Sequence, residues 1–449
     1  MPRRFFFFII LLPILFLFGY SIRAQTITSV FNDKLLDSLI TIGLKNNKNV
    51  LQLMDRMAAA KASERIARAG FFPSVSVTGD WSRSRQSAAL SATQHPVYSS
   101  VTSLSATSMW EIDVFGKIRN NVKSQKELYK VSVDNLRWAR ISLASQIATT
   151  YINLRTYQQQ YVVLQHNIQS QLGILNIVKA RYNVGLASKL DVLQANSIYI
   201  TTQAELPLLS SQIQQTINSI YILLGEAPTY PDSLITKPNY LNSSLLEIGS
   251  IPKTKVDLMN SYTVSMDALL QRPDIKAYEY TVNSYAALVG ASKADWLPEF
   301  YVKGSFGYSS GSFKSLFKRD NMMFAVNPTI SWTLFEGRQI AENTKLAKAN
   351  WSAAVNAFNL AVIEALQEVD DAVLLYYAYS QQYDDYKLVR DEGIQVLNLS
   401  LELYKKGLQN FQTVLDAQRS LLSYESSLVN VEGQMASAIV QIIKVGGLK

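Results

Sequence analysis

The chain has 449 residues and no cysteine. That absence excludes disulfides, thiolate metal sites and a lipid-modified N-terminal cysteine. Histidine is almost as scarce, with two in the whole chain. His95 lies in a Ser/Thr/Gln-rich loop beside Pro96 and His166 inside a long helical pattern, so both read as solvated or packed side chains rather than catalytic ones. No glycine-rich phosphate loop, metal-spaced cluster or nucleophile motif occurs. Catalytic, cofactor-binding and metal-ligating residues are therefore expected to be absent, and an enzyme is the reading with the least support. Charge is sparse at 17% of residues, with a net charge of +8. Long apolar runs are also missing, except for residues 5–20. That run follows Arg3 and Arg4 and ends in Ile22-Arg23-Ala24, which predicts a secretory signal peptide over residues 1–24, too short and wrongly flanked for a membrane span. An uncleaved anchor is the alternative. Cleavage before Gln25 leaves 40 basic against 35 acidic residues, too mild an excess to point to nucleic acid.

What the chain does contain, it contains twice. Phe72-Pro73-Ser74-Val75-Ser76-Val77-Thr78-Gly79 lies over Leu297-Pro298-Glu299-Phe300-Tyr301-Val302-Lys303-Gly304, with proline, apolar alternation and glycine coinciding. Trp110, Phe115 and Gly116 match Trp332, Phe335 and Gly337, while Tyr182, Gly185, Leu186, Val192 and Leu193 match Tyr404, Gly407, Leu408, Val414 and Leu415. One duplicated unit fills the chain, so any function must use both halves in equivalent roles. The first copy is expected over residues 25–225 and the second over 260–449. Between them, 226–259 reads as a linker, with Pro228, Pro231, Pro238 and Pro252 among Ser, Asn and Lys.

Each copy opens with two period-two runs, at about residues 73–83 and 101–114, then 298–309 and 323–335. Val75, Val77, Gly79 and Trp81 alternate with Ser74, Ser76, Thr78 and Asp80; Phe300, Val302, Gly304 and Phe306 alternate with Glu299, Tyr301, Lys303 and Ser305. One face of each strand is dry and the other wet. About ten residues is the length of a tilted strand that crosses a bilayer. A small soluble sheet packed on helices is the competing reading. Open sheet edges are not tolerated in lipid, so four membrane strands need partners from other subunits, and three copies would supply twelve.

The rest is helical. Patterns without proline run from Lys117 to about Arg181 and from Arg338 to about Tyr404, and each returns through a second helix, giving hairpins over about 117–225 and 338–445. About 65 residues at about 1.5 Å each is close to 100 Å. On the return helices Val192, Tyr199, Leu206, Ile213 and Ile220, and likewise Val414, Leu421, Leu428, Met435 and Ile442, recur every seven residues, the signature of left-handed coiled-coil packing. Pro207 is expected to kink or locally open its helix. The hairpins turn near 182–189 and 404–412, where Gly185 and Gly407 supply permissive backbone.

The chain resembles the TolC-like outer-membrane efflux proteins, and within them the outer-membrane components of resistance-nodulation-division (RND) pumps. The residues that carry the resemblance are Leu270-Gln271-Arg272-Pro273-Asp274-Ile275, Trp110 to Gly116, Trp332-Thr333-Leu334-Phe335-Glu336-Gly337-Arg338 and Leu415-Asp416-Ala417-Gln418-Arg419. The resemblance implies a mixed α+β membrane protein. It would be a homotrimer with a 12-stranded outer-membrane β-barrel, four strands per subunit, continued by a long α-helical periplasmic tunnel. Its implied partners are outer-membrane lipid, a periplasmic adaptor (membrane fusion) protein and an inner-membrane transporter of RND type. Many pump-type relatives carry a lipid on an N-terminal cysteine; with none here, the barrel alone is expected to anchor the chain.

The resemblance also places a periplasmic gate at the hairpin tips. By motif position Asp416 and Arg419 correspond to gate residues, and Tyr404 and Asp191 to residues that tether the closed state. Gln409, Gln412 and Thr413 depart from the family pattern, which puts the latch details in question. Local readings compete: Ser188-Lys189-Leu190-Asp191 has capping-box spacing, and Asp416 could sit on a solvated helix face. Arg272-Pro273-Asp274 reads as a helix start. Lys189, Lys405, Lys406 and Asn410 are candidates for docking the adaptor. The functional expectation is a passive efflux conduit; a type I protein secretion duct and a secreted coiled-coil scaffold or adaptor are the alternatives.

Overall fold

The computed structural model describes residues 30–90, 95–228, 249–252 and 266–446. The leader at 1–24, Gln25 and most of the stretch 226–259 lie outside them. In chain order the elements are α1 (Lys34–Asn46), α2 (Lys48–Ala69), β1 (Ser74–Gln86), β2 (Val97–Ile112), α3 (Lys117–Asn183), α4 (Lys189–Leu224), α5 (Met266–Leu270), α6 (Pro273–Ala294), β3 (Glu299–Ser310), β4 (Met322–Ser331), α7 (Gln339–Lys405) and α8 (Phe411–Gly446). Two compact units each draw on both sequence copies: one comprises 54–135 and 274–361, the other the chain up to 53, 136–273 and 362–449. No described helix is long and apolar enough to cross a membrane.

The first unit carries one antiparallel sheet in the order β1-β2-β3-β4. Its register lines up the apolar positions in rows: Ile112, Phe300 and Ile330; Trp110, Val302 and Pro328; Val77, Ala106, Phe306 and Phe324; Gly79, Leu104, Tyr308 and Met322; and Trp81 beside Thr102. On the other face Thr107 pairs with Ser76 on one side and Ser305 on the other, and Lys303 pairs with Asn327. From the Ile112 row to the Thr102 row is about 34 Å along the strand at about 3.4 Å per residue. At a tilt of about 40° that spans about 26 Å, the height of a barrel's lipid-facing band. Glycine is placed where strands crowd: a Cβ on Gly307 would lie 2.4 Å from the Leu104 carbonyl.

The duplication is visible in how each copy joins sheet to helix. Trp110 Nε1 donates to the Phe71 carbonyl at 3.0 Å, and Trp332 Nε1 donates to the Trp296 carbonyl at 3.1 Å. At the start of α3 the Asp113 carboxylate accepts the Ile118 and Arg119 amides at 3.0 and 2.9 Å, satisfying donors that a helix start leaves open. Lys117 Nζ reaches Asp295 and Glu299 at 2.9 and 2.7 Å, and these bonds hold its pKa above the ordinary lysine value despite burial acting the other way. Ser124 and Ser284 share a buried hydrogen bond of 2.8 Å between α3 and α6.

Among the described residues, every regular element of the second unit is a helix. The heptad positions Val192, Ile220, Val414, Leu415, Leu421, Ala436, Ile442 and Ile443 are buried, whereas Tyr199, Leu206, Ile213, Leu428 and Met435 in the same repeats are half-buried. The helices also match polar groups across their seam. Asn167 Nδ2 donates to Glu425 at 2.6 Å, Gln160 donates to Asn430, and Gln171 Nε2 donates to Thr202 at 3.0 Å. Gly433 lets α8 approach α3 closely, since a Cβ there would meet Thr156 Oγ1 at 2.2 Å. Helix α4 runs unbroken through Pro207; the Gln203 carbonyl that loses its donor sits on an exposed position where water can replace it.

Pro273 is the first residue of α6, the position where proline's missing N–H is no loss, and Asp274 lies in the first turn. Arg272 does more than precede a helix. It is buried, donates to Glu368 at 2.7 Å and stacks on Trp138 at 4.9 Å.

A second buried network joins three stretches of chain. Tyr151 donates to Asp33 at 2.7 Å, Arg155 donates to the Tyr151 hydroxyl at 3.1 Å and to Gln158 at 2.7 Å, and Gln159 donates to the Gly249 carbonyl at 2.8 Å. A Cβ at residue 249 would lie 2.6 Å from the Arg155 guanidinium, so a larger residue there displaces that side chain from its place in the network.

Candidate functional site at the hairpin tips

The two tips are built by the same local chemistry. At the end of α3, Gly185 donates to the Tyr182 carbonyl at 2.9 Å and Leu186 donates to the Arg181 carbonyl at 2.8 Å; at the end of α7, Gly407 donates to Tyr404 at 3.0 Å and Leu408 to Leu403 at 2.9 Å. This closure needs a left-handed residue, and both glycines sit at φ 75°. The helix that follows each turn is then capped. Ser188 Oγ accepts the Asp191 amide and the Asp191 carboxylate accepts the Ser188 amide, both at 3.1 Å, a complete capping box. In the second tip Asn410 takes the serine's place, its Oδ1 accepting the Thr413 amide at 3.2 Å and hydroxyl at 2.9 Å.

Beneath the turns lies an apolar cluster that includes Ile174, Val178, Val192, Leu397, Tyr404, Phe411 and Val414. Tyr404 is buried there, its ring 5.3 Å from that of Phe411. The Arg181 guanidinium lies over the Tyr404 ring at 4.9 Å and donates to the Lys405 carbonyl at 2.6 Å. Arg181 thus ties the end of the first hairpin's outgoing helix to the end of the second's. Burial raises the Tyr404 pKa, the Asp191 charge adds to the effect and Arg181 opposes it. Asp191 therefore serves as a cap while its charge acts on Tyr404.

Asp416, Gln412 and Arg419 are exposed on one stretch of α8. Gln412 Nε2 donates to Asp416 at 3.0 Å, and Gln409 donates to Thr413 at 2.8 Å. Asp416 and Arg419 form no ion pair with each other among the described residues, so within one chain both charges remain available to another molecule. Lys189 lies over the Tyr182 ring at 5.7 Å; Lys405 and Lys406 are exposed. Asn410 is occupied in capping α8.

Two features of this site escape a reading by motif. Arg181 stands opposite Leu403 in the duplication, so comparison of the copies gives no hint of its role. Only its place before a predicted turn, where a cation suits the helix end, could have drawn attention to it. The other is the apolar surface of the tips, where Val184, Leu186, Leu190 and Leu408 are 62–70% exposed.

The sequence profile described as outer membrane efflux protein matches residues 39–226 and 264–448. The solvent efflux pump outer membrane protein SrpC of Pseudomonas putida is 27% identical over 417 residues, covering 93% of this chain and 86% of that protein. The outer membrane protein OprJ of Pseudomonas aeruginosa is 27% identical over 433 residues, covering 96% and 87%. The crystal structure of a membrane protein from Pseudomonas aeruginosa superposes with a TM-score of 0.86 at 25% identity, covering 94% of this chain and 95% of that one.

Proposed function

The chain belongs to the outer membrane efflux protein family, and we propose that it works as a passive conduit closed at its hairpin tips by charged rings and by the Arg181 clasp. It is the outer-membrane channel of a tripartite RND-type efflux pump in a Gram-negative bacterium. It acts as a homotrimer with a periplasmic adaptor and an inner-membrane transporter. Its family is one of transport channels rather than enzymes.

The observation that carries this function is the sheet itself. It has one mainly apolar face, broken only by small polar residues such as Ser108 and Thr102, and two unpaired edges, β1 and β4. Each unpaired backbone group in hydrocarbon costs several kcal/mol, so the edges must pair with each other around a ring of copies. Strands β1 and β4 are antiparallel, and head-to-tail closure of three copies gives the twelve-stranded barrel. A scaffold outside the membrane has no use for such a sheet.

At the tips, three Asp416 carboxylates around one axis repel each other and attract hydrated cations, with Arg419 three residues on as the partial counter-charge from a neighbouring copy. Opening requires the hairpins to splay. An adaptor drives that motion by binding the open arrangement more tightly, and the apolar tips offer it a surface to bind. The energy and the choice of substrate reside in the transporter.

In cells whose own copy is deleted, a fluorescent dye exported by the pump should accumulate several-fold, and restoring the wild-type chain should return it to baseline. Unchanged dye accumulation together with loss of a secreted protein would instead identify a protein-secretion duct.

A further inference from the structure

The apolar face of the sheet ends in cations. In β1 the dry positions Val75, Val77, Gly79 and Trp81 continue in the same alternation to Arg83 and Arg85. Both arginines are exposed and share the ring of Tyr98, at 5.9 and 5.8 Å. Their side of the sheet is the one that meets lipid, and they lie at the end away from the helices, beyond the Trp81 row. A buried-face strand would gain nothing from two arginines there. Neither is in an ion pair among the described residues.

The loop between β3 and β4 brings more cations to the same end. It is held in shape by Asn321, which donates to the Ser315 carbonyl at 2.6 Å, and by buried Leu316. Phe317 leans onto Tyr308 at 5.5 Å, and Tyr308 meets Phe306 at 6.1 Å, both on the apolar face. This loop therefore bends over the lipid side and carries Lys314, Lys318 and Arg319 exposed around it, with Asp320 the one nearby acid in the loop. Head-to-tail closure sets the β1 end of one copy beside the β4 start of the next. Arg83 and Arg85 of one copy then stand next to the loop cations of its neighbour, once at each seam.

We propose that each seam binds the phosphate groups of an outer-leaflet glycolipid, with the aromatic side chains holding the acyl boundary and the guanidinium and ammonium groups holding the headgroup. The charges are complementary, the position at the end of a band about 26 Å tall is the headgroup level, and arginine forks suit phosphate oxygens. The site rests on the barrel reading of the sheet.

The test uses the purified trimer in nanodiscs with lipid A as the probe, read by native mass spectrometry and by single-channel conductance in parallel. Substituting Arg83→Gln and Arg85→Gln together with Lys314→Gln, Lys318→Gln and Arg319→Gln should weaken retention of lipid A by about tenfold or more while conductance is unchanged. Arg83→Lys with Arg85→Lys should keep part of the binding, since the charge stays and the fork is lost, and the unchanged conductance of the glutamine variant shows that it still folds. Equal retention by wild type and the glutamine variant would overturn the site, as would full displacement of lipid A by millimolar inorganic phosphate. Absence of conductance from the wild type would overturn the barrel instead.

Discussion

Val77→Arg should remove the protein from the outer membrane, whereas Thr78→Arg, one residue on, should leave it there. Val77 is 70% exposed in the single chain and lies in the row of Ala106, Phe306 and Phe324, near the middle of the apolar band. An arginine on the lipid face at the bilayer midplane costs about 2–4 kcal/mol, and three copies close one barrel, so the penalty reaches about 6–12 kcal/mol per trimer. That is of the order of a domain's whole stability. Thr78 faces the opposite way, paired with Ser105, where an arginine side chain meets water. The measurement is the fraction of heat-resistant trimer in isolated outer membranes. Equal trimer from both variants would mean that the apolar face does not meet lipid.

Arg181→Ala should open the tips. The guanidinium donates to the Lys405 carbonyl and covers the ring of buried Tyr404, so its loss removes a charge-assisted hydrogen bond and a stacked cation at once. With the site partly exposed, about 1 kcal/mol per subunit is a fair magnitude. If three subunits open together, about 3 kcal/mol shifts the balance of open to closed channels by about two orders of magnitude. Cells carrying the variant should become several-fold more sensitive to a large hydrophilic antibiotic that the closed channel excludes. Arg181→Lys should recover only part of the closure, since lysine keeps the charge but loses the planar stack and fork. Unaltered sensitivity in Arg181→Ala would make the contact a structural one.

The strands were readable because lipid imposes one requirement on every outward position, so Val75, Val77, Phe300, Val302 and Phe324 had to alternate with polar residues. The coiled-coil positions were readable for the same reason: Val414, Leu421 and Ile442 repeat because they meet the same seam. Strand ends were harder. Trp332 continues the apolar alternation of β4, yet its indole is committed to the Trp296 carbonyl and the strand ends at Ser331. The tips were legible as turns, because left-handed closure leaves glycine at 185 and 407. Their polar chemistry was not. Asn410 looks like a surface side chain and is a cap; Arg272 looks like part of a helix start and is buried against Trp138; Arg181 has no counterpart in the second copy. A single side chain that joins two distant helix ends leaves no period in the sequence.

Single-channel recording of the purified trimer in a planar bilayer, wild type beside Asp416→Ala, tests the proposed channel and its gate together. The wild type should show a small, cation-selective conductance, and Asp416→Ala should raise it severalfold and weaken the selectivity, as expected when a ring of three carboxylates is removed from the narrowest point. Equal conductance in the two proteins would contradict the gate, and failure of the wild type to conduct at all would contradict the channel.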